Sequence, residues 1–272
     1  MLTKETNRGE IIMRELLNEY AKNSDKVNMK IFHDVEVVFL GKKYASQLDH
    51  IIVTEEAITV IETKCWNGNT FIISQDSNEK GYIEFLKEFL EGSDKMVYHN
   101  KIVKNDKIII NVKSSGTVAG ELSYDVNFYS KRSMLRQLKA KAMNLREMLD
   151  ICTPVYSILV FVEDEDNNES PKKVKFIGGN FGDDFSEIVT SRNLLQALDA
   201  HYGDNDWVRM GDRFHLTSSK YHSVCSTLIQ YSKQSYPAVD EKQLKATYLL
   251  ASIEDKATID SIISKYEIKK ET

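Results

Sequence analysis

Three charged residues, Asp49, Glu62 and Lys64, lie near the ends of two consecutive segments that are rich in Val, Ile and Thr. The two segments, 47–54 and 57–64, are short, and their β-branched composition is typical of strands. Glu62 and Lys64 are two residues apart, so a strand projects both side chains from the same face. We therefore regard this pair of strands as the part of the chain where candidate catalytic or metal-binding side chains are most clearly grouped.

Only Glu55 and Glu56 separate the two strands, and we predict a hairpin with these residues as its loop. In that register Asp49 lies directly opposite Glu62, and their Cβ atoms are about 4.5 to 5.5 Å apart on one face. A shift of one residue would move the two carboxylates to opposite faces. The loop has no Gly or Asn, which the favoured two-residue turns prefer.

Two adjacent carboxylates repel each other unless a proton or a cation lies between them. A hard divalent ion with oxygen ligands is the natural occupant, and Mg²⁺ typically takes one or two carboxylates together with water and phosphate oxygens. We therefore expect Mg²⁺, or Mn²⁺ in its place, at Asp49 and Glu62. The other interpretation is an exposed strand end with surface ion pairs, since Glu-x-Lys also occurs at 254–256 and 267–269.

A first amphipathic helix is predicted over residues 8–22, with Met13 and Leu17 on its apolar side. Glu10 shares that side, because it precedes these residues by three and seven positions. A carboxylate that points toward apolar surroundings needs a partner. Glu10 is thus a candidate site residue, although a first-turn glutamate favoured by the helix dipole has the same spacing.

A second amphipathic helix is predicted over 133–150, with Ser133 as its N-cap. Four basic residues recur along one side of it at helical spacing, where phosphates could bind: Arg132, Arg136, Lys139 and Arg146. The alternative is an ordinary solvated face opposite an apolar stripe.

Strands alternate with helices along the first 205 residues, which indicates an α/β or mixed α/β sheet. Residues from about 75 to 130 combine a helical piece with short alternating strands, and we interpret them as an insertion with its own small β element. Beyond residue 205 the pattern is mostly helical. We predict a domain over 1–205 and a helical C-terminal extension over 206–272.

The net charge of −5 argues mildly against a protein that coats nucleic acid, which usually carries a positive surplus. An enzyme that contacts a backbone transiently needs only a local basic strip. No apolar run approaches the length of a membrane span, and the first residues lack the apolar core of a signal peptide. We therefore expect a cytoplasmic protein with no membrane association.

Several motifs together resemble the nuclease-related domain, NERD, a branch of the PD-(D/E)xK nuclease superfamily. They are Gly9 and Glu10 in the first helix, QLDHIIVT at 47–54, IETKCWNG at 61–68, Gln137 in a later helix, and TPVYSILVF at 153–161. The resemblance covers roughly residues 8–203, apart from the insertion. Cys65 departs from the family, whose sequences often have Asn there.

This resemblance implies a restriction-endonuclease-like mixed sheet flanked by helices, and a nuclease that acts on nucleic acid, with DNA as the expected substrate. It implies that Asp49, Glu62 and the backbone carbonyl of Thr63 hold the divalent metal. By the same comparison, Glu10 would orient a water molecule on the metal, and Gln137 would line the site.

Lys64 has two possible roles beside such a metal. A general base would need a pKa far below the usual value of about 10.4, and two neighbouring carboxylates raise the lysine pKa whereas a dication lowers it. We therefore favour a role in orienting the attacking water or stabilising charge.

Two other functions remain open. A non-catalytic module could bind nucleic acid or a protein on a nuclease scaffold, with the C-terminal helices mediating assembly. Such a module would be expected to have lost Asp49, Glu62 or Lys64, yet all three are present. A purely structural protein organised around the C-terminal helices would leave the charged hairpin unexplained.

Overall fold

The computed structural model describes most of the first 202 residues and one later helix. The described ranges are 8–23, 29–37, 46–73, 79–89, 96–99, 108–118, 121–163, 172–177, 181–183, 185–202 and 215–232. Much of the region expected to be mostly helical, residues 206–214 and 233–272, lies outside these ranges.

Helices and strands alternate along the described parts of the chain. In chain order they are α1 (Arg8–Asn23), β1 (Lys30–Val37), β2 (Ser46–Val53), β3 (Ile58–Lys64), β4 (Gly68–Ile73), α2 (Glu79–Phe89), β5 (Met96–His99), β6 (Ile108–Val118), β7 (Glu121–Ser130), α3 (Lys131–Met148), β8 (Val155–Phe161), β9 (Lys172–Ile177), β10 (Gly182–Asp183), β11 (Ser186–Thr190), α4 (Leu194–Tyr202) and α5 (Ser218–Tyr231).

The described strands form two mixed sheets, and the expected α/β class is confirmed. The first sheet has the order β1-β2-β3-β8-β11-β10, with antiparallel pairing along β1, β2 and β3 and parallel pairing between β8 and β11. The second has the order β5-β7-β6-β4-β9. All seven residues of β8 are buried, as its nearly unbroken apolar sequence predicts.

The hairpin of β2 and β3 has the predicted register. His50 pairs with Ile61, and the ladder continues to Val53 opposite Ile58. Glu55 and Glu56 are the two loop residues, as expected. The register prediction is therefore confirmed over the paired residues.

Thr54 explains how this turn forms without Gly or Asn. Its buried hydroxyl oxygen accepts hydrogen bonds from the backbone N–H groups of Glu56, at 3.2 Å, and Ala57, at 3.1 Å. The Thr54 backbone N–H donates to the Ala57 carbonyl at 3.0 Å. A threonine side chain thus satisfies backbone groups that a tighter glycine turn would pair directly.

The predicted insertion does not form a β element of its own. Its strands β5, β6 and β7 share a sheet with β4 and β9, which lie outside residues 75–130. Helix α2 packs Tyr82 and Leu86 into the apolar core of this sheet, against residues that include Phe71, Ile110 and Phe128. The segment is therefore integrated with the strands before and after it.

Gly68 begins β4 where only a glycine fits. Its φ is +85°, and a Cβ atom there would lie 2.2 Å from the carbonyl oxygen of Val112. The close backbone approach of β4 and β6 thus requires the glycine of the WNG sequence.

Helix α3 begins at Lys131, two residues before the predicted N-cap. Ser133 therefore lies within the first turn, and its assignment as N-cap is wrong. The apolar stripe is as expected, since Leu138, Ala142, Leu145 and Leu149 are buried. Two residues after the helix, Asp150 has the left-handed conformation, at φ 49°.

The chain divides into two compact units. One comprises residues 1–13, 63–140 and 157–198, and the other comprises 14–62, 141–156 and 199–272. We call them unit 1 and unit 2, and the division passes between Glu62 and Thr63 within β3.

Helix α5 is part of unit 2, where it packs against β1. The Leu216 N–H donates to the Glu55 carbonyl at 2.7 Å, and the Ser218 hydroxyl donates to the Glu55 carboxylate at 3.2 Å. The hairpin loop is thus joined to the start of α5. The division into a domain over 1–205 and a separate extension over 206–272 stays a prediction.

None of the described helices is long and apolar enough to cross a membrane.

Candidate active site

Asp49 and Glu62 lie on the neighbouring strands β2 and β3 of unit 2. The pairing nearest to them is His50 with Ile61, and the same register extended by one residue sets Asp49 against Glu62. Both side chains are half-buried. A half-buried setting raises the free-energy cost of leaving two adjacent carboxylates uncompensated.

Lys141 of α3 reaches the Glu62 carboxylate. Its ammonium nitrogen lies 2.7 Å from Glu62 Oε2, and the two side chains are 27% and 17% exposed. The same ammonium donates to the Gln47 carbonyl at 3.0 Å. A lysine charge is therefore held at one of the two predicted metal-binding carboxylates.

A further ion pair lies beside this contact on β1. Asp34 forms a salt bridge with Arg14 and accepts a hydrogen bond from the Gln47 side chain at 3.2 Å. Asp34 has φ 50°, and it interrupts the ladder between the pairs of His33 with His50 and Val35 with Leu48. A left-handed residue within a strand is uncommon, and here it accompanies a carboxylate that is engaged from two sides.

Two histidines lie next to the acidic positions. The Nδ1 atoms of His33 and His50 are 2.8 Å apart, so one ring donates its N–H to the other. Burial lowers the pKa of His33 to about 4, helped by the Arg14 charge and opposed by Asp34. Burial also lowers the pKa of His50, with His33 and Arg14 adding to the effect. Both rings are therefore neutral at pH 7.

Lys64 lies at the end of β3, two residues beyond Glu62 and on the same strand face. Its backbone carbonyl accepts a hydrogen bond from the Val162 N–H at 2.9 Å, which fixes this end of the strand within unit 1. Thr63 between them is half-buried. Lys64 and Glu62 are therefore close along the chain, although they fall in different units.

Glu10 and Gln137 lie on helices of unit 1. Glu10 is half-buried in the first turn of α1, ahead of the fully buried Met13. Gln137 is exposed on α3, one helical turn before Lys141 and therefore on the same side of that helix. The role of Glu10 in orienting a metal-bound water stays a prediction, as does the place of Gln137 in the lining of the site.

All four basic positions predicted for phosphate contacts lie on α3. Arg136 is exposed and Lys139 is half-buried, while the side chain of Arg132 lies outside the described part of the chain. Arg146 donates to the carbonyls of Ile151 at 3.2 Å and Cys152 at 3.1 Å. Arg146 therefore stabilises the chain after the helix, whatever else it contacts.

The donor set at the hairpin fits a hard divalent ion. Asp49 and Glu62 supply carboxylate oxygens, and Mg²⁺ typically takes only one or two of these from a protein. Within the described ranges, no group of three or more His, Cys, Asp or Glu side chains is placed to hold a metal. The remaining ligands of an ion held by two carboxylates would come from water and phosphate oxygens.

Sequence reasoning missed Lys141 and Asp34. Lys141 follows Gln137 by four residues, and this spacing was the available signal that it shares Gln137's side of α3. Its contact with Glu62 joins residues 79 positions apart and has no local signature. Asp34 lies in an ordinary strand sequence, so nothing in its neighbours predicts a left-handed backbone.

Two mixed sheets with flanking helices and a charged hairpin define a restriction-endonuclease-like α/β fold. Residues 5–107 match the family model of the nuclease-related domain, NERD, so this part of the chain is similar to that family. The matched segment contains Glu10, Asp49, Glu62, Thr63 and Lys64 but ends before Gln137 and α3. No curated protein and no solved structure matches the chain. The family match supports a nuclease-related function.

Proposed function

We propose that this chain is a divalent-metal-dependent nuclease that hydrolyses phosphodiester bonds, with DNA as the expected substrate. The observation that carries the proposal is the hairpin register, because it brings the predicted carboxylates to neighbouring strands inside the NERD segment. Mg²⁺ or Mn²⁺ is the proposed cofactor.

Asp49, Glu62 and the backbone carbonyl of Thr63 would hold the ion. When bound, such an ion polarises a phosphoryl oxygen and stabilises the negative charge that develops during hydrolysis. The half-buried carboxylates would position it against the nucleic acid backbone. The neutral His33 of β1 and His50 of β2 add no further charge to this part of unit 2.

Lys64 would orient the attacking water and stabilise negative charge on the phosphate. Its place two residues from Glu62 sets its ammonium on the carboxylate face of β3, where a phosphate oxygen would approach. Glu10 would orient a water molecule on the metal, and Gln137 would line the site. These roles are carried over from the family resemblance.

Arg132, Arg136, Lys139 and Arg146 would contact the backbone of the bound nucleic acid. Arg136 has the greatest freedom to do so because its side chain is exposed. A chain of net charge −5 would rely on such a local strip rather than on its overall charge. A protein partner bound through the C-terminal helices remains part of the proposal, as does a cytoplasmic location.

The proposal is tested by incubating the protein with circular and linear forms of DNA and RNA. Each substrate is offered with Mg²⁺, with Mn²⁺ and with EDTA, and the Asp49→Ala variant is run beside the wild type. We expect metal-dependent cleavage by the wild type alone. Equal degradation by both proteins, or none with any substrate and metal, would overturn the proposal.

A non-catalytic nucleic-acid or protein-binding module is the second candidate. The Lys141–Glu62 ion pair favours it, because a carboxylate that already has a cation partner can serve a structural purpose. Binding of DNA without cleavage in the same assay, and with equal affinity in EDTA, would identify this alternative.

A further inference from the structure

Lys141 is held in place at Glu62 by two acceptors. Its ammonium donates to Glu62 Oε2 at 2.7 Å and to the Gln47 carbonyl at 3.0 Å. Both charged side chains are less than one-third exposed, so solvent screens the pair only in part. The geometry is that of a charge-assisted hydrogen bond rather than a loose surface contact.

The second acceptor is itself fixed. The side chain of Gln47 donates to Asp34 at 3.2 Å, and Asp34 forms a salt bridge with Arg14. Gln47 therefore links two ion pairs, since its amide belongs to one and its backbone carbonyl to the other. Such a network reduces the freedom of the Lys141 ammonium to leave Glu62.

A bound ammonium has two effects on a neighbouring metal site. It neutralises one of two adjacent carboxylates, so the pair can remain half-buried with no metal bound. It also repels a divalent ion that approaches the same carboxylate. Even in a water-like dielectric, a unit charge about 5 Å from a dication changes its binding constant by about tenfold.

We propose that Lys141 is a positioning residue that stands in for the metal ion at Glu62. It orients and neutralises this carboxylate in the metal-free protein, and it weakens the binding of free divalent ions there. This inference rests on the proposed function, because it assumes that Glu62 is a metal ligand. It concerns a residue outside the NERD segment, which ends at residue 107.

The first test measures the Kd of Mn²⁺ without nucleic acid, from the electron paramagnetic resonance signal of the free ion. Lys141→Met should lower the Kd about tenfold, because the competing charge is removed. Lys141→Arg keeps the charge and should bind Mn²⁺ like the wild type. Lys22→Met is the matched control, since it removes an exposed lysine from the same unit. An unchanged or raised Kd for Lys141→Met would overturn the proposal.

The second test compares thermal unfolding in EDTA and in saturating Mn²⁺. Lys141→Met should have a lower Tm than the wild type in EDTA, since Glu62 then loses the charge-assisted hydrogen bond from Lys141. Mn²⁺ should raise its Tm by more than it raises that of the wild type, because tighter binding to the folded state stabilises more. If Mn²⁺ raises the Tm of both proteins equally, Lys141 does not take the place of the metal ion at Glu62.

Two further variants separate this inference from the proposed function. If Asp49→Asn and Glu62→Gln both weaken Mn²⁺ binding while Lys141→Met leaves it unchanged, only the role of Lys141 is wrong. If neither acidic variant changes Mn²⁺ binding, the metal site is wrong, and the inference fails with it.

Discussion

Lys141 and Lys64 are related to Glu62 in different ways. Lys141 comes from α3 and contacts the carboxylate directly, whereas Lys64 follows Glu62 along β3. A lysine that stabilises charge on the phosphate should affect the rate of hydrolysis. A lysine that is hydrogen-bonded to the carboxylate should affect metal binding. The two side chains can therefore be separated by experiment.

We expect Lys64→Met to slow single-turnover cleavage by about 10²-fold to 10³-fold, the usual effect of removing one stabiliser of transition-state charge. Lys113→Met, which removes an exposed lysine of β6 in the same unit, is the control. A cleavage rate within twofold of the wild type would exclude Lys64 from the reaction.

The local part of the candidate site was predictable from the sequence. Strand alternation and the two-residue loop were enough to propose that Asp49, Glu62 and Lys64 share a face. The partners of these residues were not predictable, because the Lys141 and Asp34 contacts depend on how α3 and β1 pack in unit 2. Long-range side-chain contacts leave no periodic signal in a single sequence.

At the level of the hairpin, the position of Glu62 depends on the turn that sets its register. The Thr54 hydroxyl accepts two backbone N–H groups across this turn. Loss of that hydroxyl removes the acceptor of the buried Ala57 N–H and of the half-buried Glu56 N–H, at a cost of about 1 to 3 kcal/mol.

We therefore expect Thr54→Val to lower the free energy of unfolding by about 2 kcal/mol, measured by denaturant titration. Thr54→Ser keeps the hydroxyl and should retain most of the stability. If the two variants unfold at the same denaturant concentration, the hydrogen bonds of the hydroxyl do not hold the turn.

The elements of the first sheet were easier to predict than those of the second. Strands β1, β2 and β3 follow one another closely and pair in sequence order, so local composition identified them. Strands β4 and β5 were missed. β4 pairs in parallel with β9, about a hundred residues away, and a four-residue strand such as β5 has too few residues for alternation to appear.

On the scale of the whole molecule, the buried His33–His50 pair makes folding stability depend on pH. The pKa of His33 is lowered to about 4 in the folded protein, whereas histidine in an unfolded chain titrates near 6.5. Between these values the unfolded chain takes up a proton that the folded protein does not. The part of the folding stability that depends on neutral His33 is therefore fully present above about pH 6.5 and is lost as the pH falls toward 4.

The loss attributable to His33 is about 3 kcal/mol over this range. Denaturant titrations of the wild type and His33→Gln between pH 7 and pH 4.5 would check it. The variant should show a shallower decline, because one fewer proton is taken up on unfolding. If the free energy of unfolding falls with pH to the same extent in both proteins, His33 is not protected from protonation.

The central claim is that the carboxylates of the β2–β3 hairpin support metal-dependent hydrolysis of nucleic acid. Its most direct test is the single-turnover rate of plasmid cleavage in Mg²⁺ for the wild type, Asp49→Asn and Glu147→Gln. Glu147 is exposed on α3 and serves as a control for the loss of one carboxylate charge. We expect Asp49→Asn to be at least about 10³-fold slower and Glu147→Gln to match the wild type. Cleavage by Asp49→Asn at the wild-type rate would contradict the account.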